Sequence, residues 1–175
     1  PDSSYAKVNI NRGTLEAKNI TNLSSKNSLM LKAEAYIEDK APVKLTLKFS
    51  YHEPQFSFDG AVGKFNLPEL NALIMAYTPA KINTGKLDEM TFSGIARRTS
   101  ATGTLKFLYH DLEVDLELHE KAKWKSSVIA FAANSVLDSS NPGSANLPPR
   151  IVQFQVDRDM NKGFVNVVIK SILTG

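Results

Sequence analysis

One stretch constrains the fold more than any other. Across residues 80–118, AKINTGKLDEMTFSGIARRTSATGTLKFLYHDLEVDLEL, apolar side chains recur at every second position. Met90, Phe92, Gly94 and Ala96 share one face, and Thr91, Ser93, Ile95 and Arg97 point the other way. Past a turn at Arg98-Thr99-Ser100, the positions Ala101, Gly103, Leu105, Phe107 and Tyr109 repeat the pattern. A period of two marks an antiparallel strand with one buried face. The phase then slips, because Leu112, Val114, Leu116 and Leu118 alternate with the opposite parity. One extra residue near His110-Asp111, as a β-bulge or tight bend, accounts for the slip. An unbroken strand over 105–118 would run about 45 Å at ~3.3 Å per residue, beyond the usual strand length. A long, twisted, one-sided sheet is the first inference.

The rest of the chain supplies further strands. Residues 5–10 and 14–20 read as short runs on either side of a turn signal, Asn11-Arg12-Gly13, and 21–27 as a polar loop. Leu31, Ala33, Ala35 and Ile37 alternate with Lys32, Glu34 and Tyr36. After a turn at 38–42 comes the sharpest alternation: Val43, Leu45, Leu47, Phe49 and Tyr51 against Lys44, Thr46, Lys48 and Ser50. Pro54 suits the following loop, and Phe56, Phe58, Gly60 and Val62 form the next strand face. At Asn66 the period becomes helical. Asn66 is placed as an N-cap, with Pro68 in the first turn and Glu69 completing a capping box. Leu67, Leu70, Ile74 and Tyr77 fall on one face, and Thr78-Pro79 ends the segment. Residues 124–137 read as a second helix with Val128, Ala132 and Val136 aligned, 138–144 as a flexible loop, and 150–156 as a strand. Residues 160–173 align Phe164, Val168 and Ile172 as a helix that Asp157 or Asp159 can cap, yet the run FVNVVI is β-branched enough for a strand. The expected class is mainly β with a few helices (α+β). Residues 1–175 form a single domain: a long antiparallel sheet, open to curvature into a groove, with two or three short helices packed on it.

Chemistry is sparse. The net charge of +3 comes without a basic patch. Lys32, Lys44, Lys48 and Lys106 lie opposite apolar positions, which describes a solvated face and not a nucleic-acid footprint. The chain has no cysteine, so disulfides and thiol chemistry are out. No run of eighteen apolar residues offers a membrane-spanning helix. The opening Pro1-Asp2-Ser3-Ser4, without a methionine, suggests an excised fragment, so that any targeting or anchoring segment would lie upstream. His110-Asp111 resembles the pair used by metal-dependent phosphohydrolases, but no further ligands stand at a fitting spacing, and a bulge with polar side chains is the plainer reading. Glu113, Asp115 and Glu117 share a strand face, whereas acid–base work needs carboxylates in unlike environments. The two Asn-x-Thr/Ser patterns at Asn19 and Asn22 are frequent by chance. These features point away from an enzyme and call for no metal or cofactor. What remains is one continuous apolar face bearing Leu45, Leu47, Phe49, Phe56, Phe58, Met90, Phe92, Leu105 and Phe107. Short helices can cover part of it. A second sheet, a partner domain or a lipid must cover the rest, unless the sheet folds over its helices into a closed core.

Several blocks carry a resemblance. They are Phe56-Ser57-Phe58-Asp59-Gly60 leading into Phe65-Asn66-Leu67-Pro68-Glu69-Leu70-Asn71, then Ile82-Asn83-Thr84-Gly85-Lys86-Leu87-Asp88. Next come Ala101-Thr102-Gly103-Thr104-Leu105 with Tyr109-His110-Asp111-Leu112, and finally Arg158-Asp159, Phe164, Lys170-Ser171 and Gly175. In this order the chain resembles the C-terminal region of AsmA-like proteins of the type found in Bacteroidetes. The resemblance implies a periplasmic module of an envelope protein, anchored at the inner membrane by an N-terminal helix outside this fragment. It also implies a relationship to bridge-like lipid carriers, whose long curved sheets form an apolar trough, and it favours helix for 160–173. The expected function is non-enzymatic, in phospholipid transport or outer-membrane assembly, with the nine apolar residues facing lipid. The rival expectation is a structural or protein-interaction domain that docks on the rest of its chain or on a partner without binding lipid. An enzyme acting on envelope polymers has only His110-Asp111 in its favour.

Overall fold

A computed structural model of the chain describes residues 9–23, 27–77, 80–116 and 138–174. In chain order the strands are β1 (Ile10–Lys18), β2 (Leu29–Ile37), β3 (Ala41–Phe49), β4 (Phe56–Val62), β5 (Phe65–Asn66), β6 (Ala80–Ala96), β7 (Ser100–Leu116) and β8 (Ile151–Asp157). A 3-10 turn at Leu67–Leu70 and a short helix α1 (Asn71–Tyr77) fill the connection from β5 to β6, and helix α2 (Phe164–Thr174) follows β8. The strands form one eight-stranded antiparallel sheet in the order β1-β2-β3-β4-β6-β7-β8, with β5 pairing to β6 beside this path. The sheet is open, with β1 at one edge and β8 at the other.

Local chemistry sets the turns. Glu38 and Asp39 hold positive φ values of 51° and 59°, and the Lys40 N–H donates to the Ile37 carbonyl at 3.0 Å, so β2 turns tightly into β3. Arg97 N–H donates to Ser100 C=O at 2.8 Å and closes the β6–β7 hairpin over Arg98 and Thr99. Around Pro54, the Ser50 hydroxyl accepts the N–H groups of His52 and Glu53.

The phase slip in the central hairpin is real. β6 and β7 each run 17 residues, and Asp111 sits at φ 56° where β7 gains a residue against β6. Buried positions accordingly change parity, from Ala101, Leu105 and Tyr109 to Leu112. β6 slips as well: Ile82, Leu87 and Phe92 are buried in turn, with register shifts on both sides of Thr84 and another between Leu87 and Glu89. Bulges at these places let one long twisted hairpin keep a single buried face.

Four expectations change. Asn11-Arg12-Gly13 is not a turn. β1 runs through it with a bulge at Arg12, φ 52°, and the guanidinium meets Asp39 at 3.3 Å and lies over the Tyr36 ring at 4.1 Å. The capping box at Asn66 does not form. Asn66 Nδ2 reaches the Glu69 carboxylate at 3.4 Å and no side chain caps the turn, which is 3-10 and too tight for the α-helical cap geometry. The loop after Asp138 is pinned to the sheet: Leu112 N–H donates to Ser139 C=O, and Tyr109 and Asn141 exchange backbone hydrogen bonds of 3.1 and 2.9 Å. Neither Asp157 nor Asp159 caps α2. Asp159 Oδ1 accepts the Asn161 N–H at 2.9 Å in a turn of its own, and the helix starts later, at Phe164. The expected helix over 124–137 and the end of the central strand at Glu117 and Leu118 lie outside the described residues.

Two apolar clusters sit on the same side of the sheet. The larger joins Leu47, Phe56, Phe58, Phe92, Ala96, Ala101, Leu105, Phe154 and Val156 to Val167 and Val168 of α2. Helix wins over strand for this last segment because Val167, Val168 and Ile172 together bury a stripe against the phenylalanines, and tertiary packing overrides the β-branched preference. The second cluster packs Leu67, Val62, Ile82, Leu87, Tyr109 and Leu112 beside the 3-10 turn.

Candidate functional site

Register alone brings the nine candidate residues onto one face, since directly paired residues of an antiparallel ladder point the same way. Leu45 pairs across Gly60 to Phe92 and Leu105, and Leu47 pairs with Phe58. Phe49 pairs with Phe56, and Met90 with Phe107. Two glycines make room for the largest of these rings. Gly94 and Gly103 are direct cross-strand partners, and a Cβ on Gly94 would come within 2.6 Å of the Phe58 ring and 3.1 Å of the Phe154 ring. Phe58 and Phe154 thus lean over the bare backbone from the strands on either side and stack at 6.2 Å. Glycine here serves close approach and not turn geometry.

The face is not uniformly accessible. Leu47, Phe56, Phe58, Phe92 and Leu105 are buried by the chain's own packing, whereas Leu45, Phe49, Met90 and Phe107 are half-buried at the margins of the two clusters. α2 covers the region nearest β8. Its Phe164 ring meets Phe49 edge-on at 5.7 Å, and Lys170 Nζ donates to the Asp157 carbonyl at 2.8 Å. Among the described residues the cover ends toward β1. Leu15, in line with Ala33 and Leu45 on this face, is 70% exposed, and Ile10 is 67% exposed.

The opposite face is polar and carries a concavity of about 530 Å³ lined by Thr46, Asp59, Thr91, Ser93, Thr104 and Lys106 among others. Lys44 pairs with Glu34 at 3.2 Å and Lys106 with Glu89 at 3.0 Å, while Lys32 and Lys48 are exposed on the same side. These are the cross-strand ion pairs of a wet sheet face. The hollow therefore opens on the hydroxyl-rich side, and the side bearing the nine apolar residues is the one that α2 crosses.

His110 stands at the bulge, its Nδ1 2.9 Å from Asp88 Oδ2 and its Nε2 4.0 Å from Asp111. Among the described residues no group of three or more His, Cys, Asp or Glu side chains could hold a metal. Asp115 accepts from Asn83 Nδ2 at 2.8 Å and Glu113 is exposed, so these two carboxylates sit in similar wet surroundings. The titration of Tyr109 is displaced upward. Burial pushes its phenol up, Arg150 pulls it down, and Asp138, whose carbonyl accepts the hydroxyl at 3.2 Å, pushes it up.

Sequence reasoning missed Asn141. Its Nδ2 donates to Phe107 C=O at 2.6 Å and Arg150 C=O at 3.2 Å, and its Oδ1 accepts the Arg150 N–H at 2.8 Å. The buried amide thus closes the edge of β7 beyond the reach of β8. A partner 34 residues away leaves no local signal. Neither a family model, nor a curated protein, nor a solved structure matches the chain.

Proposed function

We propose that the chain is a non-enzymatic module of a bacterial envelope protein, AsmA-like in type, periplasmic and inner-membrane anchored, working in phospholipid transport or outer-membrane assembly. The observation that carries this reading is the apolar face itself. It runs strand after strand across an open sheet and, among the described residues, ends exposed at Leu15. A lipid tail offers no hydrogen bonds, so its carrier needs only apolar area, worth about 25 cal/mol per Å² removed from water. In this reading acyl chains lie along Leu15, Ala33 and Leu45 and reach toward Phe49, Met90 and Phe107, while α2 closes the far end over Leu47, Phe56, Phe58, Phe92 and Leu105. A second or third helix on the sheet, and curvature of the apolar side into a groove, belong to the same proposal. Delipidated protein incubated with phospholipid and examined by native mass spectrometry retains lipid, and replacing Leu15 and Leu45 by Asn removes it. Bare protein at every lipid concentration refutes the reading.

Burial of five of the nine residues favours a second reading, a structural or interaction domain whose apolar margin docks on the rest of its chain or on a partner. It predicts that no phospholipid co-purifies, while Leu105→Asp abolishes folding.

A further inference from the structure

β1 is an edge strand left open in two ways at once. Among the described residues no strand pairs with its outer side, and its apolar residues Ile10 and Leu15 remain mostly exposed. Proteins usually blunt such edges, and here the bulge at Arg12 blunts only the first third of β1. From Thr14 to Lys18 the ladder to β2 is regular, so alternate backbone groups on the far side face solvent. The other end of the sheet differs: α2 covers the inner face of β8, and Asn141 closes the β7 overhang.

We infer that the occupant of this edge is a second copy of the chain, joined antiparallel through β1 about a two-fold axis centred on Ala17. Charge selects the register. Glu16 and Lys18 share the polar face, 3.0 Å apart. Centring the axis on Glu16 sets glutamate opposite glutamate, and centring on Lys18 sets lysine opposite lysine. Centring on Leu15 brings Lys18 against Arg12, and centring on Thr14 runs the ladder into the Arg12 bulge. With Ala17 at the centre, Glu16 of each copy stands opposite Lys18 of the other, so two unlike pairs form and no like pair does. An axis normal to the sheet keeps both apolar faces on the same side, so the open inner layers of the two copies meet. The contact is isologous and closes after two copies. It is short, and so weak: β1 ends at Lys18 and Asn19 turns away at φ 60°, so the ladder between copies spans Glu16 to Lys18, well under roughly 1,200 Å² in total. The inference stands apart from any lipid role.

Sedimentation velocity across about 10–500 µM, the range suited to so small an interface, tests it. The wild-type chain dimerises reversibly in this range. Glu16→Lys and Lys18→Glu, at side chains 55% and 53% exposed, stay folded by circular dichroism but each weakens self-association at least about tenfold, since both unlike pairs become like pairs. An equimolar mixture of the two variants regains the wild-type affinity, because one chain then presents lysine at both positions and the other glutamate at both, which restores two unlike pairs. A wild-type chain that stays monomeric throughout, variants that associate as well as wild type, or a mixture that pairs no better than its components would each overturn the inference.

Discussion

Phe58→Ala is the sharpest probe of the packed end of the apolar face. The ring is 2% exposed and contacts three others, with centroids at 6.1 Å to Phe56, 6.4 Å to Phe92 and 6.2 Å to Phe154. Phe→Ala in a core costs about 3–5 kcal/mol, depending on how far the site collapses. Here the floor beneath the ring is the Gly94–Gly103 pair, which has no side chain to move into the void. A value near the upper end is therefore expected, about 4–5 kcal/mol, or ~8–20 °C in melting temperature for a domain of this size. Urea unfolding followed by far-UV circular dichroism measures it. The geometry also fixes a coupling. In the native protein a Cβ on Gly94 meets the Phe58 ring at 2.6 Å and the Thr102 carbonyl at 2.8 Å. With Phe58 truncated, only the second obstruction persists, so Gly94→Ala costs less in the Phe58→Ala background than in the wild type. The double-mutant cycle should show a coupling of roughly 1–2 kcal/mol. Additive effects, or a loss below about 2 kcal/mol for Phe58→Ala, would refute the idea that the glycine pair exists to seat these rings.

Gly103→Val drives a side chain into the Phe154 ring and the Ser93 carbonyl, and should destabilise by about 3 kcal/mol or prevent folding, read by denaturant midpoint and soluble yield. Asn141→Ala orphans the Phe107 and Arg150 backbone groups and should cost about 2–4 kcal/mol, with faster amide exchange at Arg150 as the local signature. Tyr109 titrates above its ordinary 10.0, so its burial stabilises the fold below that pH, and the contribution is lost as pH rises through the higher folded value. Ultraviolet titration should show one late phenol that disappears in Tyr109→Phe, and that variant should lose less stability than the wild type above pH 10.

How much of this was legible in the residues depended on how local the cause was. The alternation of β3, β4 and β7 appears directly as buried and exposed faces, and the parity change after Tyr109 located a true bulge at Asp111. The slips in β6 were hidden because Asn83, Gly85 and Asp88 interrupt the pattern without leaving long runs on either side to compare. Arg12-Gly13 looked like a turn because its chemistry is that of a chain reversal. The positive φ is there, but Asp39 and Tyr36 hold it inside a strand. The nine apolar residues do share a face, as their spacing required. Which of them α2 would bury was not legible, because it depends on a helix that arrives from more than fifty residues beyond Leu105 and crosses β8 to reach Phe49. The open margin at β1 was equally silent, since edge and centre strands share the same alternation and differ only in their neighbours.

Among the described residues the apolar layer is covered beneath α2 and exposed at β1, and the proposed lipid role depends on that difference. Nuclear Overhauser contacts between methyl groups of the delipidated chain and the methylenes of an added short-chain phospholipid test it most directly. Contacts are predicted to Leu15, Leu31 and Leu45, with none to Thr46 or Thr104 on the polar face, and with an unchanged contact between Phe164 of α2 and Phe49. Acyl contacts confined to the hydroxyl-lined hollow, or no contacts at any methyl of the apolar face, would contradict it.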